Sequence, residues 1–202
     1  MNLDLKQINT SEILSARKVF FIGIGGIGIS ALAKMVLSRG IQVSGVNDDE
    51  GKTVDSLREL GVEVIMSKTA FDIPDVDLYV YSDAWLYRGP EIIETARATG
   101  KPVLSYFEAL GSFAKEYKVI AIAGTHGKTT TTAMVAEILV DAGLDPTVVV
   151  GSFITKFGSN FRKGSGQYLV VEADEYNRHF LNFIPFFVLH FHRLIKPIGR
   201  FL

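Results

Sequence analysis

The stretch "AIAGTHGKTTTTAMVAEIL", residues 121–139, decides how the rest of the chain is read. An apolar run ends in glycine, a short polar turn follows, and a helical pattern begins. The common phosphate-loop pattern is G-x-x-x-x-G-K-[ST]. Counting back from Gly127, its first glycine belongs at position 122, where this chain has Ile122; the nearest glycine is Gly124. The turn still carries what a nucleoside triphosphate needs. Backbone N–H groups of Gly124, Thr125, His126 and Gly127 can cradle phosphate oxygens. Lys128 can neutralise the β- and γ-phosphates, which makes it the candidate catalytic residue, and Thr129 can offer its hydroxyl to Mg2+. Thr130 continues the same polar edge. The competing reading is a threonine N-cap beside an exposed lysine. His126 sits inside the turn, open to a phosphate contact or to none.

On either side, short β-branched runs alternate with helical patterns. Strands are predicted at 18–24, 41–46, 62–66, 76–82, 101–106, 117–124, 146–151 and 167–174, and helices at 28–40, 53–61, 90–100, 107–116 and 128–143. Strand–helix alternation predicts parallel sheets with helices on both faces. Two phosphate-type turns, each opening a run of its own, predict two α/β units. The first, residues 1–115, is read as a Rossmann-like parallel-sheet domain. The second, residues 116–202, is read as part of a P-loop-type α/β ATP-binding domain.

The other turn is "FIGIGGIGISALAKM", with G-x-G-x-x-G at Gly23, Gly25 and Gly28 and a further glycine at Gly26. It follows a strand and opens a helix, the context the fingerprint requires. Glycines allow a tight turn and close approach of backbone N–H groups to a diphosphate, and the helix N-terminus adds partial positive charge. Asn47, Asp48 and Asp49 end the next strand and are candidates for a ribose hydroxyl. The pattern does not separate a dinucleotide from another diphosphate-bearing nucleotide. In "YLVVEADEYNRHFL", residues 168–181, Glu172, Asp174 and Glu175 close an apolar strand. Ligands gather at the carboxyl ends of parallel strands, so a carboxylate there can hold Mg2+ beside phosphates.

Composition narrows the classes. The net charge of −1 implies no basic surface for nucleic acid. The absence of cysteine removes disulfides and thiolate metal sites. No apolar run reaches the length of a membrane span, and a cytoplasmic protein is expected.

The order of "GIGGIG", "GTHGKTTTT" and "EADE" resembles the Mur ligases of peptidoglycan synthesis, over roughly residues 18–189. The family carries a G-T-x-G-K-T loop without the earlier glycine, which accounts for Ile122. The resemblance implies ATP-dependent ligation of L-alanine to UDP-N-acetylmuramate. ATP would phosphorylate the sugar-linked carboxylate, and the amine would attack the acyl phosphate. It further implies that Gly23, Gly25, Gly26 and Gly28 hold the UDP diphosphate, with Asn47 and Ser82 near the substrate. Gly124 to Thr130 would hold ATP, and Thr129 and Glu172 would hold Mg2+.

Two places depart from the family. Asn47 in "GVND" stands where an aspartate is usual. After "FIPFFVL" the chain reads "HFHRLIKPIGRFL", and by spacing Pro197 stands where a metal-binding histidine belongs; His190 and His192 are out of register with it. On that basis the chain is expected to be an incomplete portion of such a ligase, making no amide bond alone, with residues 117–202 less stable than 1–115. Other readings are a related UDP-muramate peptide ligase, a non-catalytic nucleotide-sugar binding module, and an NAD-dependent oxidoreductase. The Lys-Thr clamp argues against the last.

Overall fold

The computed structural model describes residues 13–124, 126–173 and 187–191. Val19, Phe20, Phe21 and Ile22 are all fully buried. They lie on β1 (Lys18–Ile22), the central strand of a sheet covered on both faces, which is why the strand is a continuous apolar run and not an alternating one. Its neighbours are β2 (Gln42–Asn47) and β4 (Leu78–Tyr81), with β3 (Glu63–Met66) and β5 (Val103–Ser105) outside them. The order is β3-β2-β1-β4-β5 and every pairing is parallel. Successive side chains of β1 enter different cores. Val19 and Phe21 pack with α1 (Ile27–Leu37), α2 (Lys52–Glu59) and α5 (Tyr106–Ala114). Phe20 packs with α4 (Pro90–Ala98) and with Trp85 of α3 (Trp85–Arg88).

The second sheet contains β6 (Lys118–Gly124), β7 (Thr147–Ile154), β8 (Ser159–Arg162), β9 (Tyr168–Ala173) and β10 (Phe187–Phe191), in the order β10-β6-β9-β7-β8. Here the expectation of parallel strands needs one correction: β8 runs antiparallel to β7. The hairpin between them closes through Gly158, whose φ of 61° suits a residue without a Cβ. The register of that pair is irregular between Val149 and Ile154. Ile120, Ile122, Val148, Val150 and Val170 face one core, which includes Ala136 of α6 (Lys128–Asp141). Ala121, Ala123, Val149, Leu169 and Val171 face the other way, into the core that contains α1 and α5.

Helix α1 therefore lies between the two sheets. Eight consecutive residues, Ile29 to Val36, are buried, whereas a surface helix would bury one stripe. Three polar side chains hold it on the second-sheet side. The Asn160 amide donates to the Ile27 carbonyl at 2.6 Å and to Ser30 Oγ at 2.8 Å, and its oxygen accepts from Lys34 Nζ at 3.0 Å. Lys34 is 9% exposed, and burial pushes its amine below the ordinary lysine value. Helix α5 enters the same layer behind a capping box. The Ser105 hydroxyl accepts from the Glu108 N–H, and the Glu108 carboxylate accepts from the Ser105 N–H.

Asn160→Ala removes all three bonds and leaves the Lys34 ammonium with only a 3.5 Å contact to Ser159. The expected cost is about 2–3 kcal/mol, read as a lower urea midpoint with an unchanged slope.

Candidate functional site

The first glycine turn is built by its contacts with β2 and α3. Gly23 and Ile24 donate their N–H groups to the Val46 carbonyl at 2.8 and 3.0 Å, and Gly26 donates to the Gly23 carbonyl at 3.1 Å. Gly23 has φ +81°, and a Cβ there would lie 2.3 Å from the Trp85 ring. Gly25 is confined differently: a Cβ would lie 2.4 Å from Asn47 Nδ2. Asn47 Oδ1 accepts from the Gly25 N–H at 3.1 Å, and its amide donates to the Asp49 carbonyl at 2.7 Å. Asn47 thus braces the turn, and its buried amide is already engaged. Gly26 caps α1 with no side-chain bond, so backbone donors of the first helical turn face the carboxyl edge of the sheet. Ser82 reaches the same edge, its N–H donating to the Ile22 carbonyl at 3.0 Å. Arg88 pairs with Asp48 at 3.2 Å beside the turn.

The second turn joins β6 to α6. Gly127 occupies the N-cap in the left-handed region, φ 79°, again with no side-chain cap. Lys128 folds back, its Nζ donating to the Gly124 carbonyl at 2.7 Å. Thr129 Oγ1 accepts from the Ser152 hydroxyl at 2.8 Å, and Thr132 returns its hydroxyl to the Lys128 carbonyl at 2.8 Å. The threonine run therefore divides its work: Thr132 supports the helix, Thr129 faces the neighbouring strand, and Thr130 is exposed. His126 is exposed as well.

Strand β9 lies beside β6, and Glu172 stands opposite Ile122. Glu172 Oε2 accepts from the Gly151 N–H at 3.0 Å. A side chain at 151 would meet that oxygen at 2.9 Å, so glycine leaves room for the carboxylate. Glu172 Oε1 is buried and, among the described residues, has no hydrogen-bond partner. Gly151 and Ser152, adjacent in the irregular stretch of β7, thus link Glu172 to Thr129. Strand irregularities of this kind re-aim groups next to functional sites.

Most of the residues singled out from the sequence collect at the carboxyl edges of the two sheets. Gly23, Gly25, Gly26, Gly28, Asn47 and Ser82 group around the first turn, and Gly124, Gly127, Lys128, Thr129 and Glu172 around the second. Thr125, Asp174, Glu175, His192 and Pro197, and the His190 side chain, lie outside the described residues. Sequence reasoning missed Trp85, Gly151 and Ser152. The glycine inside "VVVGSF" was the available signal, since a strand-interior glycine marks a bulge or a close approach. Two surface clefts, one beside Arg17 and Asp77 and the other beside Gln42 and Glu63, lie near the opposite ends of the first-sheet strands and touch neither turn.

The architecture defines a class: two consecutive α/β sheets, the first with a Rossmann-type order and the second with a phosphate-loop turn. Comparison with known sequences then identifies the family. The sequence model described as "Mur ligase family, catalytic domain" matches residues 18–118, half of the chain. The chain belongs to the Mur ligase family. It is 45% identical over 168 residues to a UDP-N-acetylmuramate–L-alanine ligase of Trichlorobacter lovleyi, covering 83% of this chain and 37% of that protein. It is 39% identical over 188 residues to the ligase of that name from Clostridium perfringens, covering 92% and 39%. Among solved structures, the UDP-N-acetylmuramate–alanine ligase of Thermotoga maritima superimposes with TM-score 0.79 and 35% identity, covering 88% of this chain and 42% of the other. A UDP-N-acetylmuramate:L-alanyl-gamma-D-glutamyl-meso-diaminopimelate ligase from Neisseria meningitides gives 0.77 and 26%, covering 88% and 61%. The chain thus spans well under half the length of the relatives that it matches by sequence.

Gly25→Ala drives a methyl into the Asn47 amide. The expected cost is about 1–3 kcal/mol, seen as a lower melting temperature. In Gly25→Ala/Asn47→Ala the two costs combine to less than their sum, because the clash is gone.

Proposed function

We propose that this chain handles the two nucleotide substrates of a ligase that joins L-alanine to UDP-N-acetylmuramate at the expense of ATP, an early step of peptidoglycan precursor synthesis in the cytoplasm. Residues 1–115 form the nucleotide-sugar domain, and residues 116–202 contribute to the ATP domain. The observation that carries the reading is the buried Glu172 Oε1, on the strand beside β6, which has no partner among the described residues. A buried carboxylate oxygen is costly without a partner, and Thr129 and Ser152, linked to Glu172 through Gly151, bring hydroxyl oxygens. That donor set suits Mg2+, a hard cation that takes few protein ligands and keeps several waters. Among the described residues no cluster of three acidic or histidine side chains offers a fuller cage. Thr129 and Glu172 would hold the ion, which when bound neutralises phosphate charge.

The residues divide the remaining work. The Gly124–Thr130 turn presents backbone N–H groups to the ATP phosphates. Lys128 exchanges the Gly124 carbonyl for phosphate oxygens and stabilises the charge of the transferring phosphoryl group. The first turn, Gly23 to Gly28, braced by Asn47, takes the UDP diphosphate. The sugar-linked carboxylate attacks the γ-phosphorus, giving an acyl phosphate and ADP. The alanine amine then displaces phosphate and the amide forms. The higher identity to the alanine ligases than to the Neisseria meningitides peptide-adding ligase favours alanine as acceptor.

Two variants test the second turn by calorimetry. Lys128→Ala is expected to weaken Mg2+-ATP binding at least tenfold while UDP-N-acetylmuramate binding is unchanged. Equal ATP affinity in both proteins defeats the reading. Glu172→Gln removes the unpaired charge, so the ligand-free melting temperature is expected to hold or rise while the gain in ATP affinity from added Mg2+ disappears. A lowered melting temperature with the Mg2+ effect intact makes Glu172 a purely structural group.

A further inference from the structure

Tyr106 is the first residue of α5, directly after β5 ends at the carboxyl edge of the first sheet. Its ring rests against the first turn of α1: a Cβ on Gly28 would lie 3.3 Å from both Cζ and the hydroxyl oxygen. Phe107 holds the ring from the side, with centroids 4.7 Å apart in an edge contact. The side chain is half-buried at the border of the core shared by both sheets. Among the described residues its hydroxyl has no hydrogen-bond partner. Partly buried tyrosine hydroxyls are usually paired, so this one has a donor to spare. It also senses the second site. Burial, with the Glu172 charge as the second cause, pushes the phenol well above its ordinary value. The group therefore stays protonated and donates.

A donor at the Gly28 end of the first turn, against the core that both sheets share, has a specific use. The diphosphate belongs to the Gly23–Gly28 amides and the γ-phosphate to the Lys128 turn. The acid to be activated must lie between them. We propose that the Tyr106 hydroxyl donates a hydrogen bond to the carboxylate of the sugar-nucleotide substrate and so determines specificity for an acid-bearing sugar. This inference rests on the ligase reading given above. The bond orients one carboxylate oxygen toward the second turn.

The test is calorimetry on the full chain and its Tyr106→Phe variant, which keeps the ring packing and removes one oxygen. The ligands are UDP-N-acetylmuramate, UDP-N-acetylglucosamine (the same nucleotide and sugar without the acid) and Mg2+-ATP. Tyr106→Phe is expected to bind UDP-N-acetylmuramate roughly tenfold more weakly, the loss typical of a hydrogen bond to a charged group. Its affinities for the other two ligands are expected to be unchanged. An equal loss for both UDP-sugars overturns the proposal, since the contact would then be to the shared diphosphate or sugar. Undiminished UDP-N-acetylmuramate binding by the variant also overturns it, while the ligase reading stands. If the unaltered chain binds UDP-N-acetylglucosamine but not UDP-N-acetylmuramate, the ligase reading itself fails and the inference falls with it.

Discussion

The burial of α1 between two sheets is the constraint on which the other features depend. A helix that packs on both sides has little room for polar side chains. The two that it buries, Ser30 and Lys34, are joined with the Ile27 carbonyl into one connected set by Asn160 of β8. The same helix begins at the first glycine turn. Whatever fixes α1 against β8 therefore also fixes the backbone donors of that turn relative to the second sheet. On the second sheet, alanines at 121 and 123 face this layer, and small side chains permit a close approach of helix to strand.

The two turns use glycine for different reasons, and the difference explains the odd spacing of the second. In the first turn Gly23 and Gly25 are required by neighbours, since Trp85 and Asn47 occupy the space that side chains would fill. In the second, Gly127 is required by its backbone conformation: it has φ +79° and, among the described residues, nothing near its missing Cβ. The position where the usual count places the first glycine, five residues before Gly127, is Ile122, and it is fully buried in β6. A glycine there would leave a hole in the core facing α6.

Much of this was legible in the sequence. The apolar runs, the paired glycine turns and Glu172 of β9 each carry a local signal, and the structure brings the turns and Glu172 to the sheet edges that parallel topology requires. What was not legible depends on contacts distant along the chain. The strand β8 has only four residues, and its polar "SNFR" pattern reads as a loop. Asn160 matters because α1 lies against it, 130 residues away from Ser30 in sequence. Asn47 carries a sequence signal for a place near the substrate, but its bracing of its own turn depends on Gly25, 22 residues away. Ser152 and Gly151 acquire meaning only through Thr129 and Glu172 on other elements.

The shared core has a consequence for how the molecule comes apart. Val19, Leu32, Phe113, Val149 and Leu169 belong to one continuous apolar cluster that draws on both sheets. Separating the sheets would expose one flank of α1 together with Lys34, a group already poorly hydrated. Neither sheet can be lost without uncovering part of the other's interior. The shared cluster thus couples the two sheets energetically, so that loosening the layer around α1 weakens the footing of both glycine turns.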